Sequence, residues 1–257
     1  MTGPTELVHL DISVRSDDAS VAVVTLDSSA NRNALSKALL QQLGDHLDAA
    51  DADPAVRAVV VAAAGPVFCA GADMVEATSG GMERGARDIV ALQRRIVAMG
   101  TPVVARVHGP VRAGGLGIVS ACDVAISAAS VTYAFTEVRL GLAPAVISLT
   151  TLPRLTARAA SETFLGGETF DAAEAERIGL VTRTVPDAEL EAAVQSVVDS
   201  WCQGSPQGLR ETKALLNSPL LHRIDELGEQ VAVQSARLFG SDEARAAMHA
   251  FLDRRSR

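Results

Sequence analysis

Residues 101–127 read TPVVARVHGPVRAGGLGIVSACDVAIS. The apolar runs TPVVARVHG (101–109) and CDVAIS (122–127) are short, β-branched and bounded by Gly, Pro or polar residues, so both are expected as strands. Between them, after the turn PVRAG, Ile118, Val119 and Ala121 announce a buried helix beginning near Gly115. A strand, a bare glycine turn, a buried helix and a second strand make one winding of an α/β fold. The turn has no acid or base after Arg112. Its glycines admit two readings: tight packing of the helix, or close approach of a ligand to free N–H groups at a helix start, where the macrodipole is positive.

A second stretch has the same form. PVFCAGADM (66–74) follows the apolar run AVRAVVVAAAG (55–65), again placing small residues just past a strand. Two such turns on one sheet could each offer an N–H to a single oxygen, an oxyanion hole for a thioester or ester carbonyl that needs no side chain.

Further out, LVHLDISV (7–14) and SVAVVTLD (20–27) read as a hairpin around RSDDA. Ser36 can cap a helix with Leu39, Leu40, Leu43, Leu47 and Ala50 on one face. Another helical pattern covers 82–99. After about residue 145 strand signals thin out, and helices are expected over 156–165, 171–178, 187–203, 206–217, 222–239 and 242–253. The expected organisation is an α/β core over 1–195 and a helical region over 196–257, packed on that core or on a neighbouring chain.

Composition narrows the function. Aromatics are 3% of the 257 residues, and the formal charge is -8, so the chain lacks stacking platforms and its field repels nucleic acid and anionic membranes. Cys69, Cys122 and Cys202 are far apart with no ligand-spaced histidine, arguing against a disulfide framework and a metal site. MTGPTELVHLDISVR has neither a basic nor an apolar leader segment, and no apolar run has the length of a membrane span, so a cytoplasmic location is expected.

Taken in order, SSANRNALSKALLQQL, FCAGADMVE, GPVRAGGLGIVSACDVAIS, YAFTEVRLGLAPAV, LPRLTARAASETFLGGETFDAAEAERIGLVTRTVP and LFGSDEARAAMHAFLDRR resemble the crotonase superfamily, the enoyl-CoA hydratase/isomerase family, over about residues 7–255. The context is closest to single-glutamate bacterial members such as methylglutaconyl-CoA hydratases. The resemblance implies a spiral of strand-strand-helix units whose helical C-terminus makes a homotrimer or a dimer of trimers. It implies an acyl-CoA thioester as substrate, with no separate cofactor. The family's oxyanion N–H groups would fall on Ala70 and Gly114, and coenzyme A would lie along Arg32, Ala34, Ala70, Gly71, Ala72 and Asp73. Lys213, Phe251 and Arg254 are candidates for touching the coenzyme A of an adjoining subunit, or are packing and solvated residues of amphipathic helices.

Hydratases of the family typically carry two glutamates. Here the first position is Gly117 and the second is Glu137. One carboxyl must then give and recover the proton, which suits hydration of a 2-enoyl-CoA, dehydration of a 3-hydroxyacyl-CoA or migration of the double bond. A chain that binds acyl-CoA without chemistry is the remaining alternative. Arg112 and His108 could hold a second substrate carboxylate, or be structural, and Asp73 could simply cap a helix. Pocket walls are expected from Met74 to Arg95 and from Ala143 to Leu152.

Overall fold

A computed structural model describes residues 5–16, 19–78 and 82–255. Its chain order is β1 Val8–Ser16, β2 Ala19–Leu26, α1 Lys37–Ala52, β3 Val56–Ala63, α2 Met74–Thr78, α3 Met82–Ala98, β4 Val103–Val107, β5 Val111–Arg112, α4 Gly114–Ala121, β6 Val124–Ala128 and β7 Thr132–Ala134. There follow α5 Ser148–Thr151, α6 Ala157–Gly166, β8 Phe170–Asp171, α7 Ala172–Arg177, β9 Arg183–Val185, α8 Leu190–Cys202, α9 Pro206–Phe239 and α10 Asp242–Arg255.

Six strands form the main sheet in the order β1-β2-β3-β4-β6-β9. The first pair is the antiparallel hairpin expected from the alternating runs, and every later pairing is parallel. All eight residues of β3 are buried, and both α1 and α8 pack on it. That continuous Val/Ala run suits a parallel strand covered on both faces. Leu39, Leu43 and Leu47 of α1 are fully buried, as their helical spacing requires, and Ser36 caps the helix by accepting the Leu39 N–H. A small second sheet, β5-β7-β8, stands beside the main one.

The C-terminal part departs from the sequence reading at Pro219. Two helices were expected, 206–217 and 222–239, yet α9 runs unbroken through the proline. The carbonyl that Pro219 leaves without a donor is that of Leu215, a residue 76% exposed, so water can satisfy it. Lys213, Asn217, Leu220, Ile224, Gly228, Ala232 and Ser235 form one buried stripe along the whole helix. Ion pairs Arg94–Asp225 and Arg87–Glu229 also clamp it to α3. Position 195 falls inside α8, whose Leu190, Val194 and Val198 are buried. The short strands β5, β7, β8 and β9, two or three residues each, had no periodicity to reveal them.

Candidate active site

Because β3 and β4 are parallel neighbours, with Val59 opposite Val103 and Val61 opposite Ala105, the turns that follow them leave the sheet side by side. Parallel sheets place ligands at this carboxyl edge. Backbone links knit these turns to each other and to the segment before α1. Arg112 donates its N–H to the Cys69 carbonyl (2.9 Å), Leu35 donates to Gly71 (2.8 Å), and Cys69 and Val111 form an isolated bridge. Asn33 pins the first turn from below: its Oδ1 accepts from Ser28 N–H (2.8 Å), and its Nδ2 donates to Ala64 O (2.9 Å) and Val67 O (2.8 Å). Fully buried and at φ 54°, Asn33 is a residue the sequence analysis missed. The only sequence signal was its place in ANRNAL.

The oxyanion assignment to Ala70 is corrected here. Its N–H donates to the Arg32 carbonyl at 3.1 Å and is therefore spent on the fold. Two residues on, after Gly71 turns the chain at φ 92°, Ala72 has an N–H with no acceptor among the described residues. Gly114 N–H, the first of α4, is also unspent among them. A Cβ built on Gly114 would stand 3.9 Å from Ala72 N, and one built on Gly71 would stand 3.6 Å from Gly114 N. Ala72 and Gly114 are thus two free donors that stand close together on adjoining turns. Ala113, between Arg112 and Gly114, holds φ 45° and ψ −119°, a conformation that disfavours a Cβ. This strain, of order 1–3 kcal/mol, lies at the turn where the N–H must face away from the helix.

Glu137 sits in the 3-10 turn Thr136–Leu140, three residues after Ala134, whose carbonyl accepts the Ala113 N–H (3.2 Å). The same short connection therefore ties the carboxyl's turn to the donor turn. Ala244 and Met248 of α10 pack on Leu142, with Met74 and Leu140 beside them, and so cover this turn from the same chain. Glu137 Oε2 is enclosed and has no hydrogen-bond partner among the described residues. Burial pushes the Glu137 carboxyl up to about 7, opposed only by a contact to its own N–H. Such a group can give or take a proton near neutral pH.

Gly117 has no space for a side chain. A Cβ there would lie 2.9 Å from Ile147 Cγ2 and 3.1 Å from Gln93 Cδ and Oε1. The space that a side chain at 117 would enter is occupied by the fully buried Gln93. A cleft of about 290 Å³ opens beside Ala72 and Leu35 and follows α3 past Arg84, Gly85, Asp88 and Ile89. Its walls fall within the Met74–Arg95 stretch on one side; Ala143 to Leu152 does not line it.

Several other candidates have structural employment. Lys213 is 4% exposed and spends its three N–H bonds on Asp123 (2.9 Å), Ile96 O (3.0 Å) and Thr101 O (2.9 Å), so it has no donor left for coenzyme A, and that assignment is withdrawn. Arg112 reaches Val111 O, Thr132 O and Thr132 Oγ1, fastening β5 to β7 rather than facing a ligand. His108 Nε2 contacts Gly65 O (2.8 Å). Asp73 Oδ1 caps α2 through the Val75 (2.9 Å) and Glu76 (3.2 Å) N–H groups, and its Oδ2 accepts from Asn31 (3.2 Å). Arg32 is exposed and Ala34 is buried. Phe251 and Arg254 belong to the end of α10, where side chains lie outside the described residues. Among the described residues no three His, Cys, Asp or Glu side chains gather as metal ligands, and no helix is long and apolar enough to cross a membrane.

An α/β spiral that holds two free amides at adjoining strand ends, with a buried carboxyl tied to the same turn, is an acyl-transferring or enolate-forming type of site. The chain belongs to the enoyl-CoA hydratase/isomerase family, whose description matches residues 16–257. It is 30% identical over 245 residues to a crotonyl-CoA hydratase of Syntrophomonas wolfei, covering 93% of this chain and 94% of the relative. It is 32% identical over 199 residues to the 2,3-dehydroadipyl-CoA hydratase of Escherichia coli, covering 76% and 78%. A crystal structure of an enoyl-CoA hydratase from Mycobacterium avium superposes with a TM-score of 0.89 at 49% identity, covering 98% of both chains. The fold is that of the crotonase superfamily.

Proposed function

We propose that this chain hydrates a 2-enoyl-CoA, or dehydrates the 3-hydroxyacyl-CoA, through a thioester enolate held by the Ala72 and Gly114 amides. The observation that carries this reading is the pair of unspent N–H groups on adjoining turns, one at the start of a buried helix. Negative charge that grows on the thioester oxygen is stabilised there by fixed dipoles, each donor contributing a factor of about a hundred to a thousand in rate. Water oxygen adds to C3 of the enoyl group. Glu137 supplies the proton to C2 and recovers one from the attacking water, so a single carboxyl completes the cycle. Arg32, Ala34, Gly71, Ala72 and Asp73 border the coenzyme A arm. The C-terminal helices offer the surface for a homotrimer or a dimer of trimers.

Gly117 favours a second reading, an isomerase on the same scaffold, because one carboxyl suffices to move a proton between carbons. Mixing the protein with crotonyl-CoA and following the absorbance of the conjugated thioester separates the two. Loss of that absorbance supports hydration, and an unchanged spectrum alongside turnover of a 3-enoyl-CoA supports isomerisation. Turnover of neither would overturn both.

A further inference from the structure

The residues of α3 that line the cleft go no further along the helix than Ile89. Arg84, Gly85, Asp88 and Ile89 line it, and the next positions on that stripe are Leu92 and Gln93, which are 2% and 0% exposed. Gln93 is a buried polar side chain held on both ends. Its Nε2 donates to Val146 O (3.1 Å) and Ile89 O (3.4 Å), and its Oε1 accepts from Thr150 Oγ1 (2.6 Å), which also lies 3.2 Å from Gly117 O. Both N–H bonds are used, so Gln93 is a poor stand-in for a proton-transfer group. It is instead a stiff partition. Moving it would unpair buried polar atoms, whereas an apolar wall could yield by changing rotamer.

Gly117 and Gln93 make a complementary pair, since any Cβ at 117 would drive into the amide. Along α4, Gly117 lies three residues, about 4.5 Å, beyond the Gly114 donor. We propose that Gln93, braced by Thr150 against Gly117, is the end wall of the acyl compartment and restricts this site to thioesters of short acyl groups. The inference rests on the acyl-CoA reading of the Ala72–Gly114 site. An acyl chain held at its carbonyl by Gly114 and running along α4 meets the amide after its first few carbons. The glycine that removed an acid is, on this view, what admits the wall.

The test is the ratio of kcat/KM for trans-2-decenoyl-CoA to that for crotonyl-CoA, together with the ratio of calorimetric affinities for decanoyl-CoA and butyryl-CoA. Gln93→Ala is expected to raise both ratios by about tenfold or more, because the truncation opens room for further methylenes. Gln93→Met, which refills the volume but leaves the wall free to change rotamer, should raise both ratios by less than Gln93→Ala does. Ile147→Ala trims the same wall without unpairing any polar group, so it serves if the Gln93 variant fails to fold, and it should move the ratios in the same direction. Folded Gln93→Ala and Ile147→Ala proteins with ratios within about twofold of wild type would overturn the end wall. That result would leave the acyl-CoA site standing, whereas a wild-type chain that binds neither butyryl-CoA nor decanoyl-CoA would overturn both.

Discussion

Ala70 gives its N–H to the carbonyl of Arg32 at 3.1 Å, and this one bond decides which amides of the CAGAD turn are left for a ligand. It fixes the strand-end turn against the αL residue Arg32 and leaves the chain to reverse at Gly71, past which the Ala72 amide carries a free hydrogen. Removing that hydrogen is a direct test. Ala72→Pro is expected to lower kcat for crotonyl-CoA by about a hundredfold or more, the loss of one oxyanion donor. Folding is checked by circular dichroism, and a folded variant with near wild-type kcat would exclude Ala72 as a donor.

Glu137 should show its role in both rate and stability. Glu137→Gln is expected to abolish turnover. With Glu137 acting first as proton donor, kcat/KM should fall as pH rises through about 7. The stability sign follows from the raised value. Below about pH 4.5 the carboxyl is protonated in folded and unfolded chains alike. Between about 4.5 and 7 only the unfolded chain releases the proton, and above 7 the folded protein bears the full cost of a buried charge, at most about 3 kcal/mol. Glu137→Gln should therefore melt higher than wild type at pH 8, with the difference shrinking at pH 5. Equal differences at both values would contradict the burial of an ionising carboxyl.

Restoring a second acid at 117 should fail. Gly117→Glu places a Cβ within 2.9 Å of Ile147 Cγ2 and 3.1 Å of Gln93. Overpacking of this kind costs about 1–3 kcal/mol. A lower urea midpoint and no gain in hydration rate are expected.

Lys213 belongs to stability rather than to coenzyme A. Lys213→Met strands Asp123 opposite a lost ammonium, although the Val103 N–H and Asn217 Nδ2 still reach that carboxylate at 2.8 Å each. A loss of about 3 kcal/mol is expected, as when one partner of a buried ion pair is removed, with KM for an acyl-CoA unchanged. A raised KM in a stable variant would return Lys213 to the binding surface.

How far the sequence could be read follows from the range of each interaction. The hairpin, α1, β3 and β4 were legible because Leu39, Leu43 and Leu47, or the run of valines at 59–61, repeat with the period of one element. Gly114, Gly117 and Glu137 were singled out only as positions in ordered motifs. What stayed hidden depended on a partner distant in sequence. Ala70 and Ala72 look alike until the Arg32 carbonyl is in place. Lys213 resembles any helix lysine until Asp123 meets it, 90 residues earlier in the chain. Gln93 lies on an ordinary amphipathic helix, and only the bare face of Gly117 shows why an amide is buried there. Helices were expected to break between 217 and 222, but a stripe of buried residues on both sides of Pro219 carries α9 through.

The convergence of two amides on one thioester oxygen is tested most directly by a crystal structure with 3-hydroxybutyryl-CoA bound. The thioester oxygen is expected within about 3.2 Å of both Ala72 N and Gly114 N, with the Glu137 carboxyl facing C2. An oxygen bonded to only one of these nitrogens, or turned toward another group, would contradict it.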